Sequence, residues 1–340
     1  MRLSYGTAVA GYDQPVPGPL PLTYVLPLRL GADEPVEELA GHLAWVSGQV
    51  AEVIVVDGSE PEVVEAHRRA FPAGVLLVPP DERTPMGKVG GVMTGVRRAR
   101  CDAVVVADDD VRYDATALAR VHQLLGHADV VRPANHFEPL PWHARVDTGR
   151  ILLNRVLGGD WPGTLGVRRS RLLAAGGYDG AALFENLELV RTVRATGGTE
   201  VVAPDVHVRR LPPTTAHFLG QRVRQAYDEF ARPWRLVAAL AVVPAVVVLA
   251  ARRRWRPLAA GVAAIVAAAE AGRRRAGGRH VFPASSSFLA PVWVAERAVC
   301  SWLAVWTRLR GGVPYRDGRL RTAASSPRAL RRRLAGRPSH

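Results

Sequence analysis

Three carboxylates stand side by side at Asp108, Asp109 and Asp110, directly after the apolar run Val104-Val105-Val106-Ala107. Adjacent acids repel one another and destabilise a dry core, so they call for water or for a hard divalent cation held through oxygen. Side chains of an extended chain alternate, so Asp108 and Asp110 point the same way if the strand continues through them. That spacing suits one metal ion plus a ligand. An acidic turn after a strand is the other reading, and the octamer alone leaves both open. Elsewhere the chemistry-bearing residues are sparse. His136, His143, His207 and His217 show no two-histidine helical spacing. Gly58-Ser59 has no phosphate-loop context, and Ser285-Ser286-Ser287 lacks a nucleophile elbow and reads as a helix cap. Cys101 and Cys300 are the only two cysteines and lie far apart. They imply neither a disulfide framework nor a zinc site, and fit a reducing compartment.

The acids need a scaffold. The run at 104–107 reads as a buried strand of a parallel sheet, with the acids at its carboxyl end, where open α/β sheets bind ligands. Strands are predicted at 22–28, 53–56, 74–78 and 103–107. Helices are predicted at 35–50, 61–71 and 88–100. This alternation implies a doubly wound, mostly parallel sheet with right-handed crossovers. Two of its strands end in Asp, at Asp57 and at Asp108. Further on, helices are predicted at 114–126, 170–175, 183–196 and 217–230, with short strands at 130–133 and 200–203. From 138 to 166 the pattern blurs. Residues 1–21 hold four prolines and three glycines and read as a loose leader. No apolar run follows a basic start there, so no signal peptide is expected.

The formal charge is +14, unevenly spread. Residues 1–230 hold 24 basic and 28 acidic side chains, whereas residues 231–340 hold 21 and 3. The basic part is also the most apolar. Residues 236–251 are interrupted only by Pro244, and 258–271 only by Glu270, with arginines at 252–254, 256 and 273–275. A spanning helix wants about 20 apolar residues, so 233–275 is either a tight transmembrane hairpin or a hairpin lying in the interface or buried. Triple-arginine boundaries with Trp234 and Trp255 favour the membrane. Residues 285–310 combine three tryptophans with Glu296 and Arg297, as expected of an amphipathic interfacial helix. Residues 322–340 read as a basic disordered tail. Nucleic acid is not expected as a partner, because the arginines bracket apolar segments and no nucleic-acid motif accompanies them.

In this order the pieces resemble the family 2 glycosyltransferases, over about residues 22–232. Val53–Ser59 (VIVVDGS) resembles the strand ending in Asp-x-Ser. Lys88–Gly95 (KVGGVMTG) resembles the Lys-x-x-Ala-Leu-Asn-x-Gly helix, with Gly91 for Ala and Met93 for Asn. Asp108–Asp110 resembles the Asp-x-Asp metal motif. Gly163–Gly177 is similar to the acceptor-side segment, Phe184–Arg191 (FENLELVR) to the Glu-Asp helix, and Gln221–Gln225 to Gln-x-x-Arg-Trp without its Trp. Gly311–Arg316 is similar to the end of membrane-bound, lipid-glycosylating members.

The resemblance implies a GT-A fold followed by membrane-associated helices. It implies a nucleoside-diphosphate-sugar donor and a Mn²⁺ or Mg²⁺ ion on Asp110, with Asp108 on the ribose or the metal. It places Asp57 on the nucleotide base beside Ser59. Lys88, the one lysine of the chain, is expected near the phosphates, the alternative being a solvated helix start. Gln221 and Arg224, three apart on one helix face, are expected near the diphosphate or acceptor, the alternative being a surface pair. Asn186 stands where the family carries its basic Asp, which leaves Glu185, with Glu188 a turn away, as candidate bases. The expected function is metal-dependent, inverting hexosyl transfer to a lipid, polyisoprenoid or cell-envelope acceptor. The catalytic domain is expected on the cytoplasmic face of the cell membrane. A soluble or polysaccharide acceptor, or a non-catalytic nucleotide-sugar-binding scaffold, are the alternatives.

Overall fold

Runs of Val and Leu become strands because a two-sided sheet buries both of their faces. The computed structural model describes residues 18–315 and 318–335. β1 (Leu20–Leu28), β2 (Val50–Asp57), β3 (Val75–Val78) and β4 (Ala103–Ala107) are linked by α1 (Glu37–Ser47), α2 (Pro61–Ala70) and α3 (Gly87–Arg98). All four strands pair in parallel, in the order β3-β2-β1-β4. Val25 lies between Ile54 and Val106 in register. Val25, Ile54 and Val106 join one core with α3, while Tyr24, Val53, Val55 and Val105 join the other with α1.

The second half is mixed. β5 (Val111–Arg112), α4 (Ala115–Leu125), β6 (Val130–Phe137), α5 (Trp142–Val156), β7 (Thr164–Arg168), α6 (Arg169–Ala174), α7 (Glu185–Ala195), β8 (Glu200–Arg210) and α8 (Thr215–Tyr227) follow. The eight-stranded sheet has the order β3-β2-β1-β4-β7-β6-β8-β5. β7 runs antiparallel to both β4 and β6. The blurred stretch 138–166 therefore holds a helix and a central strand. Its apolar period is hidden because α5 buries Asp147, Thr148, Asn154 and Arg155 alongside Ile151 and Leu152. Asp147 and Arg155 find partners inside, so burial does not demand apolar residues there.

A 3₁₀ turn (Asp228–Ala231) leads from α8 to α9 (Pro233–Ala251), α10 (Trp255–Arg274) and α11 (Ala284–Leu309). Among the described residues, α9 and α11 are the helices long and apolar enough to cross a membrane. α9 buries no residue. The last turn of α10 packs on α5, where Gly272 sits against the Leu152 carbonyl. The polar residues of α11, read above as an interfacial face, point inward instead. Glu296 accepts from Arg222 of α8 at 2.6 Å, and Arg222 also reaches Asp147 of α5 at 3.0 Å. Arg297 is buried, while Phe288, Trp302 and Trp306 are exposed.

The disorder expected over 322–340 does not hold for residues 322–335. β9 (Val313–Tyr315) and β10 (Gly318–Leu320) form a hairpin, and α12 (Pro327–Ala335) follows. The Leu183 and Phe184 amides donate to the Thr322 and Ala323 carbonyls at 2.9 and 2.8 Å, and Leu330 is fully buried. Backbone pairing and one apolar anchor hold this arginine-rich strap. Residues 336–340 lie outside the described residues, as does the leader up to residue 17. β1 already begins at Leu20, inside the expected leader.

Candidate active site

The carboxyl ends of β2 and β4 open into one cleft of about 1840 Å³. That exceeds the roughly 300–1,000 Å³ of an ordinary small-molecule pocket, so there is room for two ligands. Asp57, Ser59, Lys88, Asp108, Asp109, Glu185, Gln221 and Arg224 all line it. Glu188 and Asp110 do not.

At the end of β4 the chain turns sharply. The Asp108 amide donates to the Gly163 carbonyl at 2.8 Å, and the Val111 amide to the Asp108 carbonyl at 3.1 Å. Gly163 is required by contact, because a Cβ there would sit 2.8 Å from Asp108 Oδ2. β5 then pairs with the end of β8, Val111 opposite Arg210. This register brings Arg210 Nε to Asp110 Oδ2 at 2.7 Å, with its guanidinium 3.8 Å from Asp108 Oδ2. Asp110 Oδ1 is buried without a partner. Desolvation raises the Asp110 pKa, against the pull of Arg210. Desolvation and the two neighbouring acids push Asp109 up to about 6.

Lys88, in the first turn of α3, bridges two elements. Its Nζ lies 2.6 Å from Asp108 Oδ1 and also contacts Glu185 Oε1 at the start of α7. Desolvation works against its charge, but the two carboxylates outweigh it and raise the ammonium's pKa. The solvated-helix-start alternative therefore fails for Lys88. Met93 fills the space beneath Gly177, whose φ of +75° no bulkier residue adopts easily.

Asp57 is engaged from two sides. Its Oδ2 lies 2.6 Å from His67 Nδ1, and Oδ1 accepts from the Ser59 amide at 2.9 Å. His67 comes from the buried face of α2. Gln221 and Arg224 do share a face, with Arg224 donating to Gln221 at 3.2 Å and lying 5.3 Å from the Tyr315 ring centre. Asn186 donates its amide to the Pro162 carbonyl at 3.0 Å.

Glu188 is a correction. It is fully buried and accepts from the Ser325 amide at 2.6 Å, with Arg333 of α12 3.7 Å away. It anchors the strap and faces away from the cleft. Residues the sequence reading missed are His67, Arg210, Asp228 and the strap residues Tyr315 and Arg319, the last three lining the cleft together with Arg210. Asp228 had a local signal, since it lies one helical turn beyond Arg224. Arg210 had none, because only the β5–β8 register brings it to the acids.

No family model matches the chain, and no curated protein matches it. Among solved structures, it is similar to the mannosyltransferase PcManGT from Pyrobaculum calidifontis in complex with GDP-Man and Mn²⁺. That match has 20% identity and a TM-score of 0.54, covering 86% of this chain and 91% of that one. A partial similarity links it to glucosyl-3-phosphoglycerate synthase from Mycobacterium tuberculosis in complex with Mn²⁺ and UDP-glucose. There the identity is 19% and the TM-score 0.41, over 58% of this chain and 73% of that one. The first similarity shows a GT-A-like fold.

Proposed function

We propose that this chain is a metal-dependent, inverting glycosyltransferase that moves a hexosyl group from a nucleoside-diphosphate sugar to an acceptor presented at a membrane. One observation carries the reading. Asp57, Ser59, Lys88, Asp108, Asp109 and Arg210 line one cleft at the strand ends of a GT-A-like fold, with Asp110 paired to Arg210.

The donor set fits Mn²⁺ or Mg²⁺. Asp108 and Asp110, both beside the Arg210 guanidinium and the latter with an orphaned oxygen, would supply part of an all-oxygen shell. Among the described residues no cluster of three or more protein ligands occurs. Water and substrate phosphates would have to complete the shell, as they do for Mg²⁺. When bound, such an ion would act as a Lewis acid toward the charge developing on the leaving diphosphate. Lys88 and Arg210 supply fixed positive charge at the same place, preorganised by their carboxylate partners. Asp57 and Ser59 shape the end of β2 for the nucleoside. Gln221 and Arg224 face the remainder of the cleft, on the side walled by the strap.

Membrane attachment is supported by α9 and α11, whose outward faces are apolar. α8 and the β9–β10 hairpin build the acceptor side of the cleft and are continuous in sequence with those helices. That continuity favours a lipid-linked or envelope acceptor. The test is calorimetric titration of the detergent-purified chain with GDP- and UDP-sugars, with and without Mn²⁺. Metal-dependent binding of one donor, abolished in a folded Asp110→Asn variant, is the expected result. No binding by the folded wild type would sink the reading. Donor binding without sugar release or transfer would leave a nucleotide-sugar-binding scaffold.

A further inference from the structure

A hydroxyl nucleophile needs a base, whereas a phosphate oxygen is already an anion and needs none. Most acids near the cleft are committed elsewhere. Glu185 and Asp108 share the Lys88 ammonium, Asp110 is paired with Arg210, Asp109 lies between the two proposed metal ligands, and Glu188 is buried under the strap.

Asp228 differs. It opens the 3₁₀ turn after α8 and lines the cleft. Its side chain has no hydrogen-bond or ion-pair partner among the described residues, and Oδ1 is shut off from solvent. The charged groups facing it are Arg224 and Arg232 on its own stretch of chain, Glu185 of α7 and Arg297 of α11. Burial pushes its carboxyl up to about 7, with Arg224 and Arg232 pulling against that and Glu185 adding to it. A base works best when its pKa lies near the working pH.

We propose that Asp228 is the general base and that the acceptor nucleophile is therefore a hydroxyl, as on a glycolipid or glycan, and not a polyisoprenyl phosphate. The proposal rests on the glycosyltransferase reading. The acceptor O–H proton passes to the Asp228 carboxylate. The oxygen's electron pair forms the new bond to the anomeric carbon. The bond from that carbon to the phosphate oxygen breaks, and its electron pair leaves on the nucleoside diphosphate. Water then takes the proton from Asp228.

The test uses the full chain in detergent with Mn²⁺ and the sugar nucleotide it binds. The acceptor probes are an alkyl glycoside and farnesyl phosphate, with water as the background nucleophile. Wild type should use a hydroxyl nucleophile, with kcat/KM rising through an acidic limb near pH 7. Asp228→Asn should lower that rate by about 10²- to 10⁴-fold and remove the limb, at unchanged donor affinity. Asp228→Glu should recover part of the rate. Equal rates and an unchanged limb in Asp228→Asn would overturn the assignment, as would transfer to farnesyl phosphate alone. If neither probe accepts sugar, donor hydrolysis gives the same comparison, because water is also a hydroxyl nucleophile. Failure of wild type to bind any donor, or to turn over a bound one, refutes the transferase reading instead.

Discussion

Lys88 shows how much one side chain is asked to do. It is the one lysine beside 44 arginines, and it holds Asp108 and Glu185 through a single nitrogen. A compact ammonium can sit between two carboxylates from different elements, where a planar fork would favour one of them. Lys88→Met should leave that pair of acids uncompensated at the position proposed for the diphosphate. The expected cost is about 10²- to 10³-fold in kcat, the scale of losing one preorganised electrostatic group, measured on the donor identified by calorimetry. Lys88→Arg should recover only part of it. Glu188 gives the opposite outcome. Its removal strands the Ser325 amide and leaves Arg333 with Asp179 alone, and frees no substrate group. Glu188→Ala should destabilise the fold by about 1–3 kcal/mol in urea unfolding while kcat per folded molecule stays near wild type. A kcat collapse without a stability loss would return Glu188 to the active site.

At the scale of elements, legibility follows locality. β1 to β4 were readable because each is a largely apolar run between glycines, prolines and acids, and two of them end in Asp at the edge of the sheet where open α/β folds bind ligands. Asp57, Lys88 and Asp108 line one cleft, where the proposal puts the donor. β7 was not readable, since its five residues TLGVR have no period and its place depends on antiparallel pairing with β4 and β6. Arg210 was hidden for the same reason, and α5 because its buried face is half polar. The strap was misread because arginine content speaks for disorder, while its order comes from backbone pairing to residues 183 and 184, far away in sequence. α11 belongs with these. Its Glu296 meets Arg222 on the opposite side of the helix that carries Gln221 and Arg224. Glu296→Ala should leave a largely buried guanidinium short of an acceptor and cost about 1–3 kcal/mol. The double variant with Arg222→Met should cost less than the sum of the two single variants, measured as a double-mutant cycle. Simple additivity would mean that the contact does not couple α11 to α8.

Over the whole molecule, charge and apolar surface are segregated. Residues 1–230 carry a slight acidic excess, and residues 231–340 almost all of the unbalanced arginine. Two forces could hold such a tail to a bilayer, and they respond differently to salt. Arginine attraction to anionic headgroups is screened within about 3 Å at about 1 M salt. Burial of apolar side chains, worth about 1.5–3 kcal/mol for each fully buried Val or Leu, is not weakened by salt. α9 exposes Val237, Val246, Val247 and Val248 and buries none of its residues in the fold, so its apolar surface is available to lipid. Membranes carrying the chain should therefore retain it through a wash with about 1 M NaCl, well above the ionic strength that screens headgroup attraction. Ala241→Arg with Ala245→Arg places two charges on exposed positions near the middle of α9. At about 2.5–3.5 kcal/mol for each charge at a helix centre, that change should move much of the protein to the soluble fraction. The proposed donor cleft includes no residue of α9, so donor affinity of the released variant should match wild type. Release of the unaltered chain by salt alone would assign the attachment to the arginines and make α9 a peripheral helix. Acceptor use would then have to be explained without a membrane-inserted anchor beside the cleft.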